Sequence, residues 1–165
     1  MKKIGVYPGS FDPFTNGHLN IIKQAVRVFD KVYVMLGENG EKMRKVDWEV
    51  EAELMRRVML EEGLEERVGI EIYKGLTARF AEKKEATFII RGIRNQTDYQ
   101  YEETLAQINF EIAEIPTMYL RADDHQPFVS SSQVIELLSC GEDIRRFVPT
   151  AVAEYLEKEM ERREI

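Results

Sequence analysis

The sequence predicts an α/β fold: an open, mostly parallel sheet of five strands with helices on both faces. Short apolar runs of strand type alternate about five times with amphipathic helical runs, joined by short connections. That is the pattern of βα units around a parallel sheet. No internal repeat or low-complexity linker interrupts the series. The first strand opens into Tyr7-Pro8-Gly9-Ser10-Phe11-Asp12-Pro13, and Thr15-Asn16-Gly17-His18 leads on into a helix. In an open α/β sheet such a turn lies outside the carboxyl ends of the strands, where ligands bind.

Each element follows from local pattern. Lys3 to Tyr7 reads as the first strand. Gly17 to Phe29 reads as a helix with Leu19, Ile22, Ala25, Val26 and Phe29 on one face. Lys31 to Leu36 is a valine-rich second strand, followed by a turn-like Gly37-Glu38-Asn39-Gly40-Glu41-Lys42. Asp47 is placed to cap a helix that runs through Val58-Met59-Leu60 and stops near Gly63. Val68 to Tyr73 is a third strand, Thr77 to Lys84 a short helix, and Ala86 to Ile90 a fourth strand ending at Arg91-Gly92. Tyr99 to Ala113 is a helix, Pro116 to Leu120 a fifth strand, and Ser131 to Leu138 and Thr150 to Arg163 the last helices. The arrangement is Rossmann-like. The charged run Glu157 to Glu164 reads as a solvated helix end.

Size and composition bound the rest. A chain of 165 residues with 44% hydrophobic and 32% charged content suits one domain, residues 1–165, with its own core. A formal net charge of −7 argues against a non-specific nucleic-acid binder. The one cysteine, Cys140, forms no internal disulfide and marks no zinc site, which suits a reducing, cytoplasmic setting. Met1-Lys2-Lys3 imitates the start of a signal peptide, but Pro8, Asp12, Asn16 and His18 interrupt any apolar core behind it. No run approaches the length of a membrane span.

Four groups carry chemistry. His18, at a helix N-terminus, can donate from its ring to a phosphate oxygen, and Gly17 and Gly9 remove side-chain bulk beside such a ligand. Arg91-Gly92-Ile93-Arg94 follows an apolar strand, so its two fork-shaped donors stand at the same sheet edge. These arginines can instead satisfy Asp98 or Glu102, and both readings hold together if the carboxylate orients the arginine. Ser130-Ser131-Ser132 precedes a helix, where serines cap the backbone and also hold phosphates. Lys42 lies in a loop that emerges beside the same crevice. The spacing of a P-loop, of a dinucleotide fingerprint and of a nucleophile elbow are all absent. A set of anion-holding donors without a nucleophile suits phosphoryl or nucleotidyl transfer between bound substrates.

These motifs resemble those of the bacterial phosphopantetheine adenylyltransferases, nucleotidyltransferases with a histidine-x-glycine-histidine type signature. The residues concerned are Tyr7-Pro8-Gly9-Ser10-Phe11-Asp12-Pro13 with Thr15-Asn16-Gly17-His18, then Arg91-Gly92-Ile93-Arg94 with Asp98-Tyr99-Gln100-Tyr101-Glu102, and Phe128-Val129-Ser130-Ser131-Ser132. The resemblance spans nearly the whole chain. It implies that ATP and 4′-phosphopantetheine react, with Mg²⁺, to give dephospho-coenzyme A and pyrophosphate, and that coenzyme A can act as a feedback ligand. It also implies catalytic roles for His18, Lys42 and Arg91. The ATP site would comprise Ser10, Phe11, His18, Arg94, Glu102, Ser130, Ser131 and Ser132. The acceptor site would comprise Ser10, Lys42, Leu76, Thr77, Arg91, Leu105 and Asn109. A homohexamer is implied, with neither nucleic acid nor membrane as partner.

The chain departs from the family pattern at Gln126, where an aromatic residue is frequent, and at Asn109-Phe110, where the family has Asn-Arg. The family's Phe-x-x-Glu-Glu-Arg is here Val46-Asp47-Trp48-Glu49-Val50-Glu51. Two other readings remain open on the residues: the same chemistry with nicotinamide mononucleotide or glycerol phosphate as acceptor, and a non-catalytic nucleotide-binding protein.

Overall fold

The computed structural model describes residues 1–37, 43–122 and 129–163. Its elements are β1 (Ile4–Gly9), α1 (Asn16–Ala25), β2 (Lys31–Gly37), α2 (Trp48–Glu61), β3 (Val68–Tyr73), α3 (Thr77–Lys83), β4 (Phe88–Ile93), α4 (Gln96–Ala113), β5 (Thr117–Arg121), α5 (Ser131–Ser139) and α6 (Thr150–Arg163). The strands form one sheet in the order β3-β2-β1-β4-β5, and every pairing is parallel. The predicted Rossmann-like sheet is the one observed.

Alternation along the strands divides the core in two. Tyr7, Val32, Val34 and Leu36 point to the face covered by α1, α2, α5 and α6. Val6, Met35 and Ile89 point to the other face, where Phe80 and Ala81 of α3 and Ala113 at the end of α4 cover them. Both faces of the central strands are therefore apolar, as continuous strand hydrophobicity requires in a parallel sheet. Each fully buried side chain of this kind contributes roughly 1.5–3 kcal/mol of burial free energy. No helix among the described residues is long and apolar enough to cross a membrane.

Four boundaries differ most from the sequence expectation, two of helices and two of strands. Helix α1 stops at Ala25 rather than Phe29, although Phe29 stays buried. The next amides tighten to bonds three residues back, Arg27 N to Gln24 O and Val28 N to Ala25 O, while Arg67 donates to the carbonyls of Val26 and Phe29. Helix α4 starts at Gln96, not Tyr99, because Asn95 caps it by accepting from Asp98 N at 2.9 Å. Strands β1 and β4 run on to Gly9 and Ile93, so that Arg91 lies on a paired strand opposite Tyr119.

The chain order reverses between β1 and β4, which lie side by side at the centre of the sheet. Loops leaving the carboxyl ends of these two strands diverge there, and the crevice between them is the usual ligand site of such a sheet.

Candidate active site

A cleft of about 220 Å³ occupies that switch point, lined by the ends of β1 and β4 and the starts of α1 and α4. Ser10, Phe11, Gly17, His18, Arg91, Arg94 and Glu102 stand in its wall. These residues are far apart in sequence, and the β1–β4 pairing alone brings them together.

His18 is fixed by helix capping. Thr15 is the N-cap of α1 and His18 is the third helical residue. The His18 amide donates to Thr15 Oγ1 at 3.3 Å, and Thr15 N donates back to His18 Nδ1 at 3.0 Å. The ring thus takes the part that Glu or Gln plays in an ordinary capping box. Because Nδ1 accepts, it carries no proton, and Nε2 must be the protonated nitrogen. Burial, then the positive charges of Arg94 and Arg91, lower the imidazole pKa to about 3. The ring is a neutral hydrogen-bond donor at physiological pH.

Phe11 and Phe14 hold that ring. Phe11 meets His18 edge-on, with centroids 4.9 Å apart, and Phe14 stacks on it at 5.8 Å and 21°. Phe11 is only 2% exposed and sits in the left-handed region at φ 46°. A Cβ on Gly9 would lie 2.8 Å from the Phe11 ring. Gly9 stands in the cleft wall, and its missing Cβ leaves the space that the Phe11 ring fills.

Arg91 is held by a bidentate pair. Its Nε and Nη2 donate to the two carboxylate oxygens of Glu102, each at 2.6 Å, and Nη1 donates to Pro8 O at 2.8 Å. The glutamate is 8% exposed. A guanidinium has five N–H donors, so these three bonds leave two more on a side chain 23% exposed at the cleft wall. Arg94 Nε stands 3.4 Å from Asp98 Oδ2, an exposed pair, and Arg94 also lines the cleft. Each arginine is thus paired with a carboxylate and lines the crevice.

The serines are placed differently. Ser130 caps α5, its hydroxyl accepting from Gln133 N at 3.2 Å and its amide donating to Gln133 Oε1 at 2.9 Å. Ser131 Oγ donates to Pro13 O at 2.7 Å, which ties the start of α5 to the β1–α1 turn. Ser130, Ser131 and Ser132 are outside the cleft wall itself. So are Leu76 and Thr77 at the start of α3, and Leu105 and Asn109 on α4, the helix that packs on α3. Lys42, Gln126 and Phe128 lie outside the described residues.

Sequence reasoning gave no role to Tyr7, Ile21, Ile93 and Ala122, which also stand in the wall, as do Pro8, Gly9, Gly92 and Asp98. Tyr7 is buried beside Arg91 and Arg94; burial pushes its phenol pKa well up, and it stays protonated. The sequence marks Tyr7 only as the end of the first strand, and nothing local tells a core position from a cleft position there.

The family model of the cytidylyltransferase-like proteins matches residues 6–137. A phosphopantetheine adenylyltransferase of Coxiella burnetii is 37% identical over 163 residues, covering 98% of this chain and all of that protein. One from Phocaeicola vulgatus is 39% identical over 144 residues, covering 87% and 93%. Among solved structures, a putative nicotinate-nucleotide adenylyltransferase from Vibrio parahaemolyticus superposes with a TM-score of 0.68 at 20% identity, covering 94% of this chain and 99% of that one. That likeness is one of fold. Sheet order, cleft composition and full-length similarity agree: the chain belongs to the cytidylyltransferase-like family and, within it, to the phosphopantetheine adenylyltransferases.

Proposed function

We propose that the protein transfers the adenylyl group of ATP to the phosphate of 4′-phosphopantetheine, giving dephospho-coenzyme A and pyrophosphate. The observation that carries this reading is the neutral, capped His18 donor in one cleft wall with Arg91 and Arg94. The acceptor is a phosphate monoester, largely dianionic at neutral pH because its second pKa is about 6. It therefore needs no general base. One of its oxygens bonds to the α-phosphorus of ATP as the bond to the bridging oxygen breaks, and pyrophosphate leaves with that electron pair. The protein's part is to hold two anions together and to stabilise charge on the equatorial and leaving oxygens.

His18 Nε2–H serves the reacting phosphate, Arg91 the acceptor phosphate and Arg94 the triphosphate. Ser10, exposed just after β1, lines the same cleft. Lys42 joins them on the strength of the resemblance alone. Among the described residues no cluster of three His, Cys, Asp or Glu could hold a metal. Of the carboxylates in the cleft, Glu102 is committed to Arg91 and Asp98 is paired with Arg94. This donor set fits Mg²⁺ as an ion carried chiefly by phosphate oxygens, as is usual for nucleotide sites. Bound in that way, Mg²⁺ supplies neutralisation of the triphosphate charge. Purified protein with ATP, Mg²⁺ and 4′-phosphopantetheine is expected to form dephospho-coenzyme A and pyrophosphate in equal amounts. Turnover of nicotinamide mononucleotide or glycerol phosphate without that product would overturn the assignment of the acceptor.

The same reading places the enzyme in the cytoplasm, with coenzyme A as a feedback ligand, and makes it a homohexamer. In support of assembly, α4 exposes Ile108 (51%) and Phe110 (48%) beside a surface groove of about 660 Å³ next to β5, an edge strand. Contiguous exposed apolar surface of this kind marks interaction sites. Light scattering at micromolar concentration is expected to return a mass near six times 19.3 kDa. A monomer across that range would overturn the hexamer and leave Phe110 an exposed aromatic residue of α4.

A further inference from the structure

The β1–α1 turn is held from behind by a buried polar group that the reaction itself does not use. Glu51 of α2 is fully buried, and its Oε1 accepts from Phe14 N at 3.0 Å. Phe14 is the residue whose ring stacks on His18, and the next amide, Thr15 N, is the donor to His18 Nδ1. Two short routes therefore run from Glu51 to the imidazole, one through the Phe14 ring and one through the Phe14–Thr15 backbone.

The segment that begins at Met43 is bound to the other end of the same turn. Arg44 lies over the Trp48 ring, 3.7 Å from its centroid, and donates to Ser10 O and to Val46 O, each at 2.8 Å. The Asp12 carboxylate accepts from Lys45 N and Val46 N, each at 2.9 Å. Glu51 Oε2 and Arg44 Nη2 are buried with no hydrogen-bond partner among the described residues. Burying a polar group in that way is costly and calls for a compensating role. Burial raises the Glu51 pKa to about 8, against the Phe14 amide bond and the Arg44 charge, so the carboxyl is largely neutral at pH 7.

We infer that Glu51 is a positioning residue for adenylyl transfer: through Phe14 it sets the plane and tautomer of the His18 ring, while Arg44 and Asp12 hold the Ser10 end of the turn against residues 43–46. This inference rests on the role proposed above for His18. Its physical basis is that misplacing a catalytic group by about 1 Å can cost on the order of 100-fold in rate.

Three variants test it. Glu51→Gln keeps an acceptor oxygen for Phe14 N, Glu51→Leu removes it, and Phe14→Leu keeps the backbone bond but deletes the stacked ring. Steady-state kinetics with ATP and 4′-phosphopantetheine are expected to leave Glu51→Gln within about threefold of the parent kcat. Glu51→Leu and Phe14→Leu should lose roughly 10–100-fold in kcat, with the KM for ATP nearly unchanged. Imidazole ¹⁵N spectra, with the His18 signal assigned by its loss in His18→Gln, should show one fixed tautomer in the parent and in Glu51→Gln. In Glu51→Leu the tautomers should mix.

A folded Glu51→Leu with parent kcat and an unaltered His18 signal would overturn the inference, because only stability would then depend on Glu51. An equal kcat loss in Glu51→Gln would also overturn it, since the acceptor bond would not be what matters. Should Glu51→Leu not fold, a normal kcat in Phe14→Leu would break the relay at its second link. If the parent makes no dephospho-coenzyme A, the functional reading fails, while the ¹⁵N spectra still decide whether Glu51 sets the ring.

Discussion

His18→Ala is expected to lower kcat by about two to three orders of magnitude, the cost of removing one well-aimed donor to developing charge (~2.7–4 kcal/mol). The KM for ATP should change little. The reason is the capped geometry: with Nδ1 committed to Thr15 N, the ring offers a single donor, Nε2–H, without a positive charge. A neutral donor adds little to ground-state binding of a polyanion and more where charge builds on the reacting phosphate. Burial and the two arginines keep the imidazole neutral down to about pH 3, so the kcat profile of the parent should show no His18 ionisation near pH 6.5. The same shift affects the fold. The unfolded chain takes up the proton near pH 6.5 and the folded one does not, so this group removes stability as pH falls from 6.5 toward 3. The variant also leaves Thr15 N without its acceptor, and loss of such a cap costs about 0.5–2 kcal/mol. Kinetics must therefore be measured on the folded fraction. A variant with near-parent kcat and a raised KM would mark His18 as a ground-state contact.

Much of the fold was legible because the signals are local. Valine-rich Lys31–Gly37 and the capped α2 behind Asp47 follow from composition and spacing within one element. The adjacency of β1 and β4 did not follow, since sheet order depends on pairings between segments about eighty residues apart. The cleft was legible to the extent that it is built from strand ends. Tyr7-to-His18 and Arg91-to-Arg94 each end a strand, and parallel strands present their carboxyl ends to one side.

What stayed hidden is partnership. Neither Glu102 nor Asp98 could be assigned to one arginine by spacing alone; the bidentate geometry that joins Arg91 to Glu102 needs strand β4 and helix α4 set side by side. Glu51 was invisible for the same reason. A glutamate in an amphipathic helix reads as solvated, and only the packing of α2 beneath the β1–α1 turn buries it. The packing of Phe11 against Gly9 was hidden too, because a glycine beside a ligand and a glycine beneath an aromatic ring leave the same trace in a sequence.

Arg91→Ala is expected to have two separable effects, both large. The first is on stability. Glu102 is left buried with both oxygens unpartnered, and breaking a buried pair on one side typically costs about 3–5 kcal/mol. The second effect is on the acceptor. The two guanidinium N–H groups not given to Glu102 or Pro8 stand at the cleft wall, and a charge-assisted bond there is worth roughly 1.5–3 kcal/mol, or about 10–200-fold in kcat/KM. That loss should fall on 4′-phosphopantetheine. Pantetheine without its phosphate should bind weakly to the parent and the variant alike. The double variant Arg91→Ala/Glu102→Leu separates the two effects, because it removes the stranded carboxyl and recovers thermal stability without restoring the acceptor donors. Recovery of melting temperature alone would assign Arg91 to the substrate. Recovery of both, or equal losses for both ligands in Arg91→Ala, would show that the arginine serves Glu102 and the end of β1, and that the acceptor phosphate is held elsewhere.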